Sequence, residues 1–281
     1  MSTEEALAGS TNHTCDRRNT SANGYGEGSD ILMIVEAAAQ YRCARSILKE
    51  AFTDQADLED DDTLDELFHR PRIARYFLLF RGQRAMGAGL VRLNPMMPQS
   101  IYVPYIAIRE TDRGRLSTRK MKQLFAEFTR KMGARRILIE AEDPRCMLLD
   151  GSYRRERVQR SAMRIYLLQR VLGTSFIGDP DLAAAYTRPA SDDAQKVRAS
   201  LLLGFVPIEP EPASFFNPER TAITIERYRQ LYLELMQLDY GTETLVPSPS
   251  QLVARYPAIR DFMTRTNAYR EERRWVSLHP S

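Results

Sequence analysis

The spacing of hydrophobic residues changes several times along this chain, and each change predicts an element. From Ile34 to Phe52 the residues Ala37, Tyr41, Ala44, Ile47, Leu48 and Phe52 recur at helical spacing. An acidic run follows, Asp54 to Glu66, without a lysine or arginine. Within it Leu58, Leu64, Leu67 and Phe68 are spaced to line a short helix, so the charges read as a solvated face or as a collar that attracts a cationic amine. The period then shortens. Arg75 to Arg81 (RYFLLFR) and Ala85 to Leu93 flank Gly82-Gln83 and predict a hairpin. Ile101 to Arg109 (IYVPYIAIR) is a third strand, and Pro104 inside it, lacking an N–H for the ladder, predicts a bulge or an edge.

Helical spacing returns with Leu116, Met121, Leu124, Phe125, Phe128 and Met132, closed by Gly133. Arg136 to Glu142 (RILIEAE) reads as a strand ended by Asp143-Pro144, and Tyr153 to Leu172 as a helix ended by Gly173. Val197 to Ile208 contains an apolar strand. Thr221 to Leu238 predicts a long helix burying Ile225, Tyr228, Leu231, Tyr232, Leu235 and Leu238, and a shorter helix falls near Ile259 to Asn267. The order predicts an α+β fold, a mixed α/β layer rather than a doubly wound parallel sheet. No GxGxxG follows a strand and no repeat is present. Residues 1–30 are polar, without the apolar stretch of a secretory signal, and are expected to form a disordered tail. Residues 31–241 then form the main domain and 242–281 a helical extension.

Charge narrows the partners. Lys plus Arg number 40 against 37 Asp plus Glu, a net charge of +3. So small an excess predicts no general affinity for nucleic acid or for an anionic membrane. No stretch approaches the roughly 18 to 20 apolar residues of a membrane span. Cys15, Cys43 and Cys146 are far apart and odd in number, which fits a reducing, cytoplasmic setting. His13, His69 and His279 are the only histidines; no GxSxG elbow and no metal-ligand spacing occurs, so no metal is expected.

The segment from Ile101 to Met132 is left to carry chemistry. Its loop holds Arg109, Arg113 and Arg115, and the first helical turn adds Arg119 and Lys120. Unpaired amides at a helix N-terminus together with these cations suit phosphate oxygens. Glu140 and Glu142 share one face of their strand, opposite Ile137, Ile139 and Ala141. If that face lines a cleft, a carboxylate there can take a proton through water, and Glu140 lies deeper in the strand. Tyr102 and Tyr105 read as packing residues, and Cys146, without a histidine or other base identified beside it, as a plain thiol.

The hairpin, central strand, Arg113-Gly114-Arg115-Leu116-Ser117-Thr118 loop, helix, RILIEAE strand and following helix resemble, in that order, the GNAT superfamily of acyl-CoA-dependent N-acyltransferases, over roughly Ile34 to Tyr240. The resemblance implies a twisted, mostly antiparallel sheet whose two central strands splay, flanked by helices. It implies acetyl-CoA or another acyl-CoA as co-substrate, held by Ile106 and Ile108 of the central strand and by Arg113, Gly114, Arg115, Ser117 and Thr118 of the loop. It also implies a tyrosine on the second helix that protonates the departing thiolate. Leu116 and Thr118 stand where the family loop has glycine, and glycine or alanine, and a side chain at 116 would crowd a pyrophosphate. Counting four residues back from Gly173 gives Gln169, so Tyr166 would be the proton donor. The implied reaction is acyl transfer to a small-molecule or peptide amine. Other readings stay open: a degenerate binding or regulatory module of the same fold, a relative of acyl-homoserine-lactone synthases, or an interaction protein built on the tyrosine-rich helix, whose exposed face would favour a homodimer.

Overall fold

The computed structural model describes residues 30–52, 58–113, 117–151, 154–178, 201–242 and 245–278. Nine strands appear among them: β1 (Asp30–Ile34), β2 (Ala74–Arg81), β3 (Arg84–Arg92), β4 (Ser100–Ile108), β5 (Arg136–Glu142), β6 (Ser175–Phe176), β7 (Leu201–Pro207), β8 (Ala222–Thr224) and β9 (Trp275–Ser277). The helices are α1 (Ala38–Ala51), α2 (Asp61–Phe68), α3 (Thr118–Lys131), α4 (Pro144–Asp150), α5 (Arg155–Leu172), α6 (Ile225–Tyr240), α7 (Pro249–Arg255) and α8 (Pro257–Glu272). Seven strands form one sheet in the order β1-β2-β3-β4-β5-β7-β6. Every neighbouring pair in it is antiparallel except β4 with β5. This is the α+β fold that the order of elements predicts, with the mostly antiparallel sheet that the resemblance implies.

Helices cover both faces because the strands alternate apolar residues to both sides. On one face Ile137, Ile139 and Ala141 of β5 meet Phe125 and Phe128 of α3 and Ile165 and Leu168 of α5. On the other, α1 and α2 pack over β2, β3 and the end of β4 through Ala44, Ile47, Leu64 and Tyr105. Beside them α6 lies over Tyr102, Leu138 and Phe205. The described residues after α6 join that same cluster: Leu252, Ile259, Phe262 and Val276 are buried in it, and β9 pairs with β8 at the start of α6. The apolar stripe of α6 is therefore shared between the sheet and the segments after it, and Ala222–Thr224, predicted as the start of that helix, form β8 instead.

The structure corrects the reading at its short elements. Ile34 ends a strand rather than opening a helix, and Asp30, assigned to the tail, pairs with Arg81 across β1 and β2. Asp143-Pro144 does close β5, but it also opens α4, the Asp143 side chain accepting from the Arg145 N–H at 2.9 Å. The acidic run is not only a solvated face: Asp61 pairs with Arg45 and Lys49 of α1, each at 2.7 Å, and Asp65 accepts from Tyr41. Asp54 and Asp57 lie outside the described residues.

Candidate active site

The site begins where two strands part. β4 and β5 pair in parallel from Ser100↔Arg136 to Val103↔Ile139 and no further. Beyond that rung each keeps only its other neighbour, β4 running with β3 to Ile108↔Gly87 and β5 with β7 to Glu142↔Leu201. A V-shaped gap separates Pro104–Ile108 from Glu140–Glu142. Its cause is local. Leu90 pairs with Tyr105 while Arg92 pairs with Tyr102, so Val103 and Pro104 share the place opposite Val91. This bulge bends β4, and Pro104 has no N–H to offer β5. The proline predicted as bulge or edge is thus the bulge, in the middle of the sheet.

The gap leaves backbone groups on offer. The Arg109 N–H donates to the Met86 carbonyl on β3 at 2.8 Å. Direction alternates along a strand, so Tyr105 and Ala107 also face β3, while the N–H and C=O of Ile106 and Ile108 turn into the gap. No strand among the described residues pairs with that edge. The Ile108 carbonyl accepts only a long contact of 3.4 Å from Arg113 Nε.

Glu140 is the first residue of β5 past the last rung. Its Oε2 accepts from the Tyr102 hydroxyl on β4. Tyr232 of α6 stands nearby: burial first, and then the Glu140 charge, push its phenol well above the ordinary value. Glu142 is differently engaged, accepting from Arg157 at 2.7 Å, while its carbonyl accepts from Ser161 at 2.6 Å. It ties β5 to α5. Tyr166 is 50% exposed, and its hydroxyl accepts from Arg170 at 3.1 Å. The residues that α5 turns inward are Val158, Ser161, Ile165, Leu168 and Leu172.

At the open end of β4, Ser117 caps α3 by accepting the Lys120 N–H at 3.2 Å, and Thr118 is the first helical residue. Ser117, Thr118 and Arg113 are exposed. Gly114 and Arg115 lie outside the described residues. Arg109 contacts Glu50 at 3.5 Å, and its buried Nε has no hydrogen-bond partner. Two further residues reach these parted ends without having been singled out as site residues. The Arg164 guanidinium lies 5.1 Å over the Phe52 ring, which in turn meets Tyr105 edge-on at 5.5 Å. Their positions, 52 and 164, are too far apart in sequence for any spacing rule to have joined them. Tyr102 was read as packing, and only the parallel register brings it to Glu140.

Among the described residues no group of three or more His, Cys, Asp and Glu side chains is placed to hold a metal, and no helix is long and apolar enough to cross a membrane. No protein-family model and no curated protein matches the chain. Solved structures do. A putative GNAT-family acetyltransferase from Bacteroides thetaiotaomicron is 17% identical, covering 75% of this chain and 98% of its own, with a TM-score of 0.52. A Bacillus subtilis acetyltransferase in complex with CoA is 15% identical over 64% of this chain and 99% of its own, with a TM-score of 0.39. The ribosomal-protein-S18-alanine N-acetyltransferase of Escherichia coli is 12% identical over 67% of this chain and 100% of its own, at 0.41. With its strand order, its single parallel pair and the match to the Bacteroides protein, the chain has the fold of the GNAT acetyltransferases.

Proposed function

We propose that this protein is an N-acyltransferase that moves an acyl group, acetyl in the simplest case, from a coenzyme A thioester to an amine by direct attack. The observation that carries this reading is the open edge of β4 at Ile106 and Ile108, with Glu140 at the apex of the gap. Backbone donors and acceptors seek partners. The pantetheine arm of coenzyme A is slender and carries two amides, so it fits a ladder edge that has lost its neighbouring strand. The exposed start of α3 and Arg113 lie at the mouth of the same gap and suit the pyrophosphate; Gly114 and Arg115 are assigned to it on their sequence alone.

In this reading Glu140 takes a proton from the amine, directly or through one water, and Tyr102 holds its carboxylate in place. A gap-facing amide of β4 steadies the charge that develops on the thioester oxygen. Glu142 positions α5 through Arg157. Tyr166, turned to the exposed side of α5, is given no proton transfer, and the thiolate departs to solvent. The acceptor is an amine on a small molecule or a peptide. Because the middle glycine of the loop is replaced by Leu116, the alternative of a binding module that retains the ligand without turnover stays in view.

The test is isothermal titration of acetyl-CoA into the wild type and into an Arg113→Ala/Arg115→Ala variant, followed by turnover assays against amine acceptors. Micromolar binding weakened about tenfold or more in the variant is expected, since two charge-assisted contacts are lost. Absence of binding to acetyl-CoA and to longer acyl-CoAs would sink the reading. Binding without turnover on any amine would favour the module.

A further inference from the structure

A second concavity lies at the other end of the sheet. The loop before β4 and the outer side of α6 enclose a cleft of about 570 Å³, floored by Ser100 and Glu234 and walled by Met96, Met97, Leu233 and Met263. Its size falls in the range of small-ligand sites. Three of its apolar residues are methionines, whose unbranched, polarizable side chains adapt to varied apolar shapes.

Its charges are unevenly satisfied. Glu234 is bound by Ser100 at 2.8 Å and by Arg136 at 3.0 Å. Glu226, whose charge favours the Arg229 guanidinium without bonding it, gives its carboxylate to Arg270 at 2.7 Å. Arg229 is half-buried in the cleft wall and makes no hydrogen bond or ion pair among the described residues. Burial, and then the neighbouring Arg270 charge, lower its guanidinium from the ordinary value. By contrast Arg227, one residue pair away on the same helix, is bonded to Glu211 and Gln230, both at 2.9 Å. A desolvated guanidinium facing an apolar wall is stabilised by an anion that carries an apolar body of its own.

We propose that this cleft binds a small amphipathic anion, a short- or medium-chain carboxylate whose head pairs with Arg229 and whose chain lies along Met96, Met97, Leu233 and Met263. The site is separate from the gap between β4 and β5, which opens at the opposite end of those strands. Its occupancy does not require acyl transfer.

The experiment is a titration of the full-length protein, labelled at its methionine methyl groups, with sodium octanoate, followed by NMR. The Met96, Met97 and Met263 resonances are assigned from Met→Leu variants. Octanoate is expected to move these three together and to saturate them. Octan-1-ol, equal in chain but uncharged, is expected to bind at least about tenfold more weakly, and Arg229→Gln to weaken octanoate by a similar factor. Arg229→Lys, which keeps the charge, is expected to recover part of the affinity and reports that the fold survives substitution there. Equal binding of octanol and octanoate, unchanged binding in Arg229→Gln, or shifts confined to other methionines would overturn the proposal. So would shifts of the same three methyl groups on concentrating the protein alone, which would mark a face covered by a second copy. None of these readouts uses acyl-CoA, so a failure here leaves the transferase reading untouched, and the reverse also holds.

Discussion

The two ends of the β4–β5 pair are built from opposite materials. At the closed end the first rung, Ser100↔Arg136, sits in a buried ion network: Arg136 bonds Glu211 at 2.7 Å and Glu234 at 3.0 Å, and Arg227 bonds Glu211 at 2.9 Å. All four charged side chains are 14% exposed or less. At the open end the β4–β5 ladder stops at Val103↔Ile139, and Glu140 follows directly on β5. At the closed end the charged side chains bind one another; at the open end Glu140 is held by a tyrosine, and the Ile106 and Ile108 edge of β4 pairs with no strand among the described residues. The difference teaches where substitutions should harm the fold and where they should harm chemistry.

Two substitutions test that division most strongly. Arg227→Met leaves two buried glutamates sharing Arg136. We expect a loss of about 3–5 kcal/mol in urea unfolding, the usual cost of removing one partner from a buried charged group. Acetyl-CoA affinity of the remaining folded protein should be unchanged. Glu140→Gln is the mirror case. Its amide oxygen can still accept from Tyr102, so stability should move by less than about 1 kcal/mol, while acyl transfer falls about 10²- to 10⁴-fold, as for loss of a general base. If Glu140→Gln transfers acyl groups at the wild-type rate, the open end is not where the proton goes.

How far all this could be read from the chain follows the same division. Helix α3 and strand β5 appear where the periodicity puts them, because each has a full amphipathic or apolar pattern of its own. The two-residue β6 and three-residue β8 and β9 carry no such pattern; they exist because a neighbouring chain segment pairs with them. At the site, Pro104 announced the bulge, but the parting of the strands needs the register of three of them at once. Glu140 was legible as a carboxylate on a polar face. Its bond to Tyr102 was not, since 38 residues and a parallel crossover separate them. Arg229 looked like any arginine on a helix until its neighbours were seen to be committed elsewhere.

A smaller effect concerns how tightly the middle of the sheet is packed. A Cβ on Gly89 would meet the Phe77 ring at 2.2 Å and the Tyr105 carbonyl at 2.6 Å. Gly89→Ala should therefore cost about 1–3 kcal/mol through overpacking, read from thermal unfolding. It should also disturb the gap, because Gly89 pairs with Ile106. A stability loss with full acyl-CoA affinity would separate the two.

The alkaline limb of stability gives a further comparison, this time between the two helical layers on one face. Burial raises the phenols of Tyr76, under α1 and α2, and of Tyr232, in α6. Both are neutral in the folded state, so their contribution is complete below the unfolded value of about 10 and is lost as the pH rises above it, by about 1.4 kcal/mol per pH unit for each phenol. Tyr76→Phe and Tyr232→Phe should each flatten the fall of stability above about pH 10. A variant, Tyr76→Phe or Tyr232→Phe, whose stability falls above pH 10 as steeply as that of the wild type would contradict this burial.

The finest test addresses the open edge itself. Ile106 and Ala107 are adjacent in β4, yet their N–H groups point to opposite sides: Ile106 into the gap, Ala107 to β3. Ile106→Pro removes a donor that the sheet does not use, whereas Ala107→Pro removes a rung of the β3–β4 ladder. We expect Ala107→Pro to destabilise the fold by about 3 kcal/mol and Ile106→Pro to do so much less. Ile106→Pro should instead weaken acyl-CoA binding by about 1 kcal/mol, several-fold in affinity, the value of one backbone hydrogen bond. Titration calorimetry on the two variants separates the outcomes. If Ile106→Pro binds acyl-CoA as the wild type does, the gap does not act as a vacant strand position, and whatever enters it is held by side chains alone.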